Sequence, residues 1–159
     1  MTTQMFRPEY IKFILSDEAK VLQKLWKPRV RDVFTMRDGD GALGMVVCAS
    51  EPFGTVKLWR IDWFWLSPDW GLEWDDSAIS ETVGGKNDAK VWLPTLWQLV
   101  KMIEGTGYRV GFSTDYESAT RLEYLYWLSA QCAGLPYVDA KSTDLMLAAA
   151  KVAVRAVEG

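Results

Sequence analysis

Residues 56–70, VKLWRIDWFWLSPDW, hold the densest run of aromatic side chains in the chain and limit what the rest can fold into. At the two-residue period of a strand, Trp59, Ile61, Trp63 and Trp65 share one face. Val56, Leu58, Arg60, Asp62, Phe64 and Leu66 share the other. The first face is wholly apolar and has to be covered by other parts of the chain. The second places Arg60 and Asp62 two residues apart and therefore side by side, close enough to pair. A strand this apolar reads as the centre of a sheet on which the other elements pack.

A chain of 159 residues fits a single globular domain, 1–159, large enough to bury a core without staples. Nine tryptophans are unusual for that length, and six of them (Trp59, Trp63, Trp65, Trp70, Trp74, Trp92) fall within one third of it. The net charge of −3 gives no general attraction to nucleic acid or to an anionic membrane. The start, MTTQMFRPEY, lacks a basic segment followed by an apolar run, and no apolar segment approaches the ~18 residues of a membrane span. These features predict a cytoplasmic protein. Cys48 and Cys132 sit in apolar settings and read as buried free thiols, with a disulfide as the lesser alternative. The absence of histidine removes Ser-His-Asp and Cys-His catalysis and nearly every catalytic zinc site. No catalytic residue, metal ligand set or cofactor is therefore expected.

Along the chain, residues 8–26 read as helix broken at Ser16, with Pro8 in the first turn and Pro28 as the stop. Over residues 1–35, seven basic and four acidic side chains give 7 − 4 = +3. That excess is a solvated helix face or a partner-facing basic patch. Residues 30–36 and 43–49 flank the turn RDGDG and form a hairpin, and the Trp-rich strand follows as the third strand of a meander. Residues 67–90 contain six acids against two lysines, 2 − 6 = −4, and read as a long acidic loop with a short strand near residues 72–74. Residues 91–93 make a strand, and Pro94 opens a helix with Leu96, Leu99, Val100 and Ile103 on one stripe. Residues 108–112 give another strand. Thr114 and Glu117 have capping-box spacing, which predicts a helix over 115–132. Ser142 or Thr143 caps a final helix that is apolar on two sides, which suggests a homodimer through residues 142–157. The sum is an α+β fold, an antiparallel sheet of about four or five strands packed against three or four helices.

Several motifs invite a chemical reading. Gly39, Gly41 and Gly44 match G-x-G-x-x-G, but the apolar, β-branched residues that follow suit a strand, so the match reads as a hairpin turn. Asp69, Glu73, Asp75 and Asp76 form an acidic cluster that is either a solvated loop or a divalent-metal site for an enzyme using carboxylates. Trp70 and Trp74 are core lids or a stacking surface for a partner. Arg60, Asp62, Asp69, Trp70, Trp74 and Asp75 together make the candidate binding surface, with Arg60 suited to a carboxylate or phosphate.

Trp92-Leu93-Pro94-x-x-x-Gln98-Leu99-x-x-Met102 resembles the W-L-P-x-x-x-Q-L segment of small proteins encoded by bacteriophages and prophages. The likeness covers about a dozen residues, and the Ala-rich C-terminal helix departs from the pattern. It carries no catalytic residues to transfer. It implies an accessory protein of the bacterial cytoplasm that acts by binding a host protein or a small ligand, for example by antagonising a host enzyme or a defence system. An assembly protein that oligomerises through the last helix is the structural alternative.

Overall fold

The structure, a computed structural model, describes residues 6–39, 41–51, 58–66, 79–85, 87–115 and 125–158. The chain divides into two compact units, Gln23–Leu93 and Met5–Leu22 with Pro94–Gly159. The α+β class holds, with one five-stranded and one three-stranded antiparallel sheet.

In the first unit, β1 (Val33–Met36), β2 (Leu43–Ser50), β3 (Trp59–Trp65) and β4 (Ile79–Val83) form a meander, and β5 (Lys90–Leu93) returns to pair with β1. The sheet order is β4-β3-β2-β1-β5. Phe34, Val46, Ile61, Trp63 and Val83 form the core on the face foreseen from the tryptophan spacing, with Trp59 and Trp65 packed against it. Register explains how β2 serves that face. Val46 lies opposite Trp63 and Ala49 opposite Ile61, so one extra residue must be absorbed between them. A bulge between Val46 and Cys48 does so. It also turns Cys48 outward, so this thiol is exposed rather than buried; Cys132 is half-buried, and both are free.

Gly39, Gly41 and Gly44 belong to the β1–β2 hairpin. Gly41 has φ 86°, which glycine adopts without strain. Gly44 lies opposite Phe34, and a Cβ there would stand 2.5 Å from the Phe34 ring. The third glycine of the motif makes room for an aromatic ring, not for a phosphate.

β4 and β5 are the two edges of this sheet, yet the Lys90 ammonium of β5 is paired with the Glu81 carboxylate of β4. The sheet therefore curls until its edges face one another as a half-open barrel. Both residues point inward, because Glu81 is opposite Ile61 and Lys90 opposite Met36. β4 also corrects the expectation of a long loop over 67–90 with its one strand near residues 72–74. Ser80 and Thr82 alternate with Glu81 and Val83, a strand period hidden by its polar content. Residues 67–78 lie outside those described.

In the second unit, β6 (Arg109–Asp115), β7 (Leu125–Gln131) and β8 (Val138–Ser142) form the smaller sheet. The helix expected over 115–132 is corrected where the chain is described, at residue 115 and over 125–131, and residues 116–124 lie outside the described residues. Thr114 and Asp115 belong to β6, and β7 alternates, with Leu128 and Ala130 buried and Trp127 and Ser129 on the other face. Over 125–131, cross-strand pairing of Tyr126, Trp127 and Leu128 decides the conformation. The strand foreseen at 108–112 exists but belongs to this second sheet.

Pro94 is followed by a capping box. Thr95 Oγ1 accepts from Gln98 N at 3.3 Å, and Gln98 Oε1 accepts from Thr95 N at 2.9 Å. It opens α3 (Leu96–Gly105), whose Leu99, Val100 and Ile103 are buried. The W-L-P-x-x-x-Q-L segment is thereby a strand end, a turn and a helix cap. α1 (Pro8–Ile14) ends before Ser16, a 3₁₀ turn follows at Asp17–Ala19, and α2 (Lys20–Gln23) resumes, as the break at Ser16 predicts. The buried Tyr10 hydroxyl donates to Pro94 O. Burial, and then the nearby Asp144 carboxylate, push its ionisation well above the ordinary tyrosine value.

α4 (Leu145–Glu158) starts one residue after Asp144, whose Oδ1 accepts from Met146 N at 3.1 Å. The cap is therefore Asp144, with Ser142 Oγ accepting from Asp144 N at 3.0 Å one step earlier. α4 packs on β7 and β8 and also against α3, α1 and the 3₁₀ turn. Ala148, Ala149, Ala150, Val152, Ala153, Val154 and Ala156 are all buried. Of the second apolar stripe, Ala150 and Ala153 are buried within the chain, and Met146 and Val157 are half-buried.

Candidate binding cleft

Among the described residues, a recess with chemically diverse walls lies wholly within the Gln23–Leu93 unit, beside the seam where β4 and β5 face one another. Its walls begin with the segment that enters β1. Asp32 is 4 % exposed, and its Oδ2 accepts from the Trp26 indole N–H and from the Arg29 backbone N–H, each at 2.9 Å. A buried carboxylate holding two donors fixes both the tryptophan ring and the turn that carries Lys27, Pro28 and Arg29. Arg31, in the same turn, has φ 78°, a left-handed conformation that a non-glycine residue adopts at a cost.

Trp26 is further set by its neighbours. It stacks on Trp92 at 6.2 Å and 6°, and leans on Phe34 at 6.2 Å and 42°. Phe34 meets Trp63 edge-on at 5.2 Å, and Trp63 meets Trp65 edge-on at 4.6 Å. Both geometries suit ring quadrupoles. The indole N–H groups of Trp63 and Trp92 are buried and find no acceptor among the described residues. Gln23 covers the outer edge of β5, its amide exchanging hydrogen bonds with Trp92 N at 2.7 Å and Trp92 O at 2.9 Å.

Two clefts result. The first, about 250 Å³, is bounded by Trp26, Pro28, Trp59, the Gly84–Gly85 backbone and the cations Lys24 and Arg37. The second, about 530 Å³ and more open, is bounded by Pro28 and Trp59 again, with Lys27, Arg29, Val30 and Glu51. The buried Pro28 and the half-buried Trp59 thus line both clefts. Asp88 also lines the first cleft, but its carboxylate is engaged. It accepts from Gly84 N at 2.8 Å and Lys90 N at 3.0 Å and lies 3.6 Å from the Lys90 ammonium. That ammonium, 4 % exposed, also sits 5.9 Å above the Trp63 ring. What the arrangement offers is recognition: indole surface, fixed backbone groups and cationic side chains.

Of the six residues named from the sequence, Arg60 and Asp62 are described, and they do not pair. Arg60 Nε donates to Ser80 Oγ on β4 at 3.0 Å. Arg60 lies instead on a shallow open surface with Ser80, Glu81 and Thr82. Asp69, Trp70, Trp74 and Asp75 lie outside the described residues, as do Glu73 and Asp76 of the acidic cluster. Among the described residues no three carboxylate, thiol or imidazole groups gather to hold a metal ion. The clefts themselves were missed. Their one sequence signal was the +3 excess over residues 1–35, and Gly84 and Gly85 fell within the stretch read as a long acidic loop. No protein-family model, curated protein or solved structure matches the chain.

Proposed function

We propose that the protein acts by binding rather than by catalysis, and that the clefts flanking Trp59 and Pro28 are where it binds. The setting is the one implied by the W-L-P-x-x-x-Q-L resemblance, a phage or prophage accessory protein whose target is a host protein or a small ligand. The observation that carries this reading is the wall of half-buried indole, Trp26 and Trp59, rimmed by exposed cations. Tryptophan and arginine are the residues that most often concentrate binding energy in a small area. Trp26 is already locked by Asp32 and Trp92, so little conformational freedom is lost on association.

The test is capture from bacterial lysate on the immobilised protein, read by mass spectrometry, with Trp59→Ala as the control. A partner retained by the parent and lost by a variant that still folds supports the reading. Equal capture by both, or loss only together with the fold, removes the clefts from consideration.

A further inference from the structure

We propose that the paired clefts hold an extended acidic peptide that passes over Trp59 from one cleft to the other, with apolar side chains in the clefts and carboxylates at the rim. This rests on the binding reading above and names the chemistry of its partner. The shape comes first. Two recesses that share Pro28 and Trp59 in their walls suit a chain laid across both, and an aromatic-lined groove is the usual receptor for an extended, proline-containing segment.

Charge then selects the partner. Lys24 and Arg37 border the first cleft, and Lys27 and Arg29 the second. Among the described residues no carboxylate lies within ion-pairing distance of Lys24, Lys27 or Arg29. Of the two acids that line the clefts, Asp88 is consumed by Lys90 and two backbone N–H groups, which leaves Glu51. Val30, 58 % exposed, adds apolar surface beside the second cleft. An acidic ligand with apolar side chains meets both features at once.

Single-stranded nucleic acid is the competing polyanion, and the geometry favours it less. Stacking needs open ring faces. Trp26 has one face occupied by Trp92, and Trp59 is half-buried against the core.

The experiment is fluorescence anisotropy with a dye-labelled eight-residue peptide of alternating proline and glutamate. Peptides of alternating proline and glutamine, alternating proline and lysine, and an oligo-deoxythymidine of equal length serve as comparisons. The proline–glutamate peptide should bind at least about tenfold tighter than the glutamine version, and its binding should weaken as salt rises. Lys27→Glu combined with Arg29→Glu changes only exposed side chains and should abolish binding with the melting temperature kept. Trp59→Ala should abolish it too. Binding of the glutamine peptide as tightly as the glutamate one, or indifference to the charge-reversal pair, overturns the proposal. Tighter binding of the oligonucleotide overturns it in favour of nucleic acid. If no peptide binds while capture from lysate still depends on Trp59, the acidic-peptide assignment falls and the broader binding reading stands.

Discussion

Lys90 and Glu81 are joined across the seam of the barrel, and the two ends of that pair should respond very differently to removal. The Lys90 side chain is 4 % exposed and that of Glu81 39 %. Glu81→Ala leaves an ammonium buried above Trp63 with Asp88, 3.6 Å away, as its counter-charge among the described residues. Breaking a buried pair from one side usually costs about 3–5 kcal/mol, and the remaining carboxylate should reduce that to about 2–3 kcal/mol. Lys90→Met is a different case. The methionine keeps most of the apolar stem, Glu81 can turn to water, and Asp88 retains its bonds from Gly84 N and from the backbone N at position 90. Removing a buried charge and releasing its partner to solvent should leave stability within about 1 kcal/mol of the parent. The double variant should resemble Lys90→Met, because the stranded ammonium is gone. Urea unfolding followed by tryptophan emission measures all three, provided the m-values agree. If Lys90→Met proves more damaging than Glu81→Ala, the pair is worth more than its desolvation, and the reasoning from unequal burial is wrong.

Trp63→Ala removes a ring that is 2 % exposed and held edge-on by Phe34 and Trp65, so it should lower stability by about 3–5 kcal/mol; a melting point within a degree or two of the parent would displace Trp63 from the core. Gly44→Ala drives a methyl into the buried Phe34 ring at 2.5 Å and should cost about 1–3 kcal/mol in urea unfolding, whereas Gly41→Asn, in a left-handed turn with open space around it, should cost less. Asp32→Ala leaves the Trp26 and Arg29 N–H groups without their acceptor and should cost about 1.5–3 kcal/mol for each charge-assisted bond lost, together with a change in Trp26 emission. Tyr10 has its ionisation raised in the fold, so the neutral phenol is the favoured form there. Its contribution is complete below the ordinary value of 10.0 and is lost as pH rises through the folded value; melting temperature should therefore drop more steeply above pH 10 in the parent than in Tyr10→Phe.

The period-two pattern of residues 59–65 identified the core face of the first sheet because burial on one side leaves a strong imprint on composition. The hairpin at Gly39, Gly41 and Gly44 was legible for a similar reason, since β-branched residues after the turn do not suit a helix. β7 was not. Leu125, Tyr126, Trp127 and Leu128 are compatible with helix or strand, and only the partners supplied by β6 and β8 decide between them. The second stripe of α4 pointed outward only if a single sheet was assumed. A helix lying between a sheet and three other elements has to be apolar on most of its circumference. The clefts depend on Asp32 placing Trp26 next to Trp59, a long-range juxtaposition that no local spacing encodes.

The inward-facing Lys90 and Glu81 also bear on how this chain behaves in a crowded solution. An exposed sheet edge is a template for adding a strand from another molecule, and unpaired edges are where aggregation begins. Here both edges of the five-stranded sheet carry a charged side chain turned to the inside, and the Gln23 amide occupies backbone groups of β5 that a foreign strand would need. To recruit a neighbour, the barrel would have to part its own ion pair and carry the buried ammonium into the new junction. The same residues that close the seam make it a poor seed for growth. In this tryptophan-rich sheet the two edges are guarded by charge.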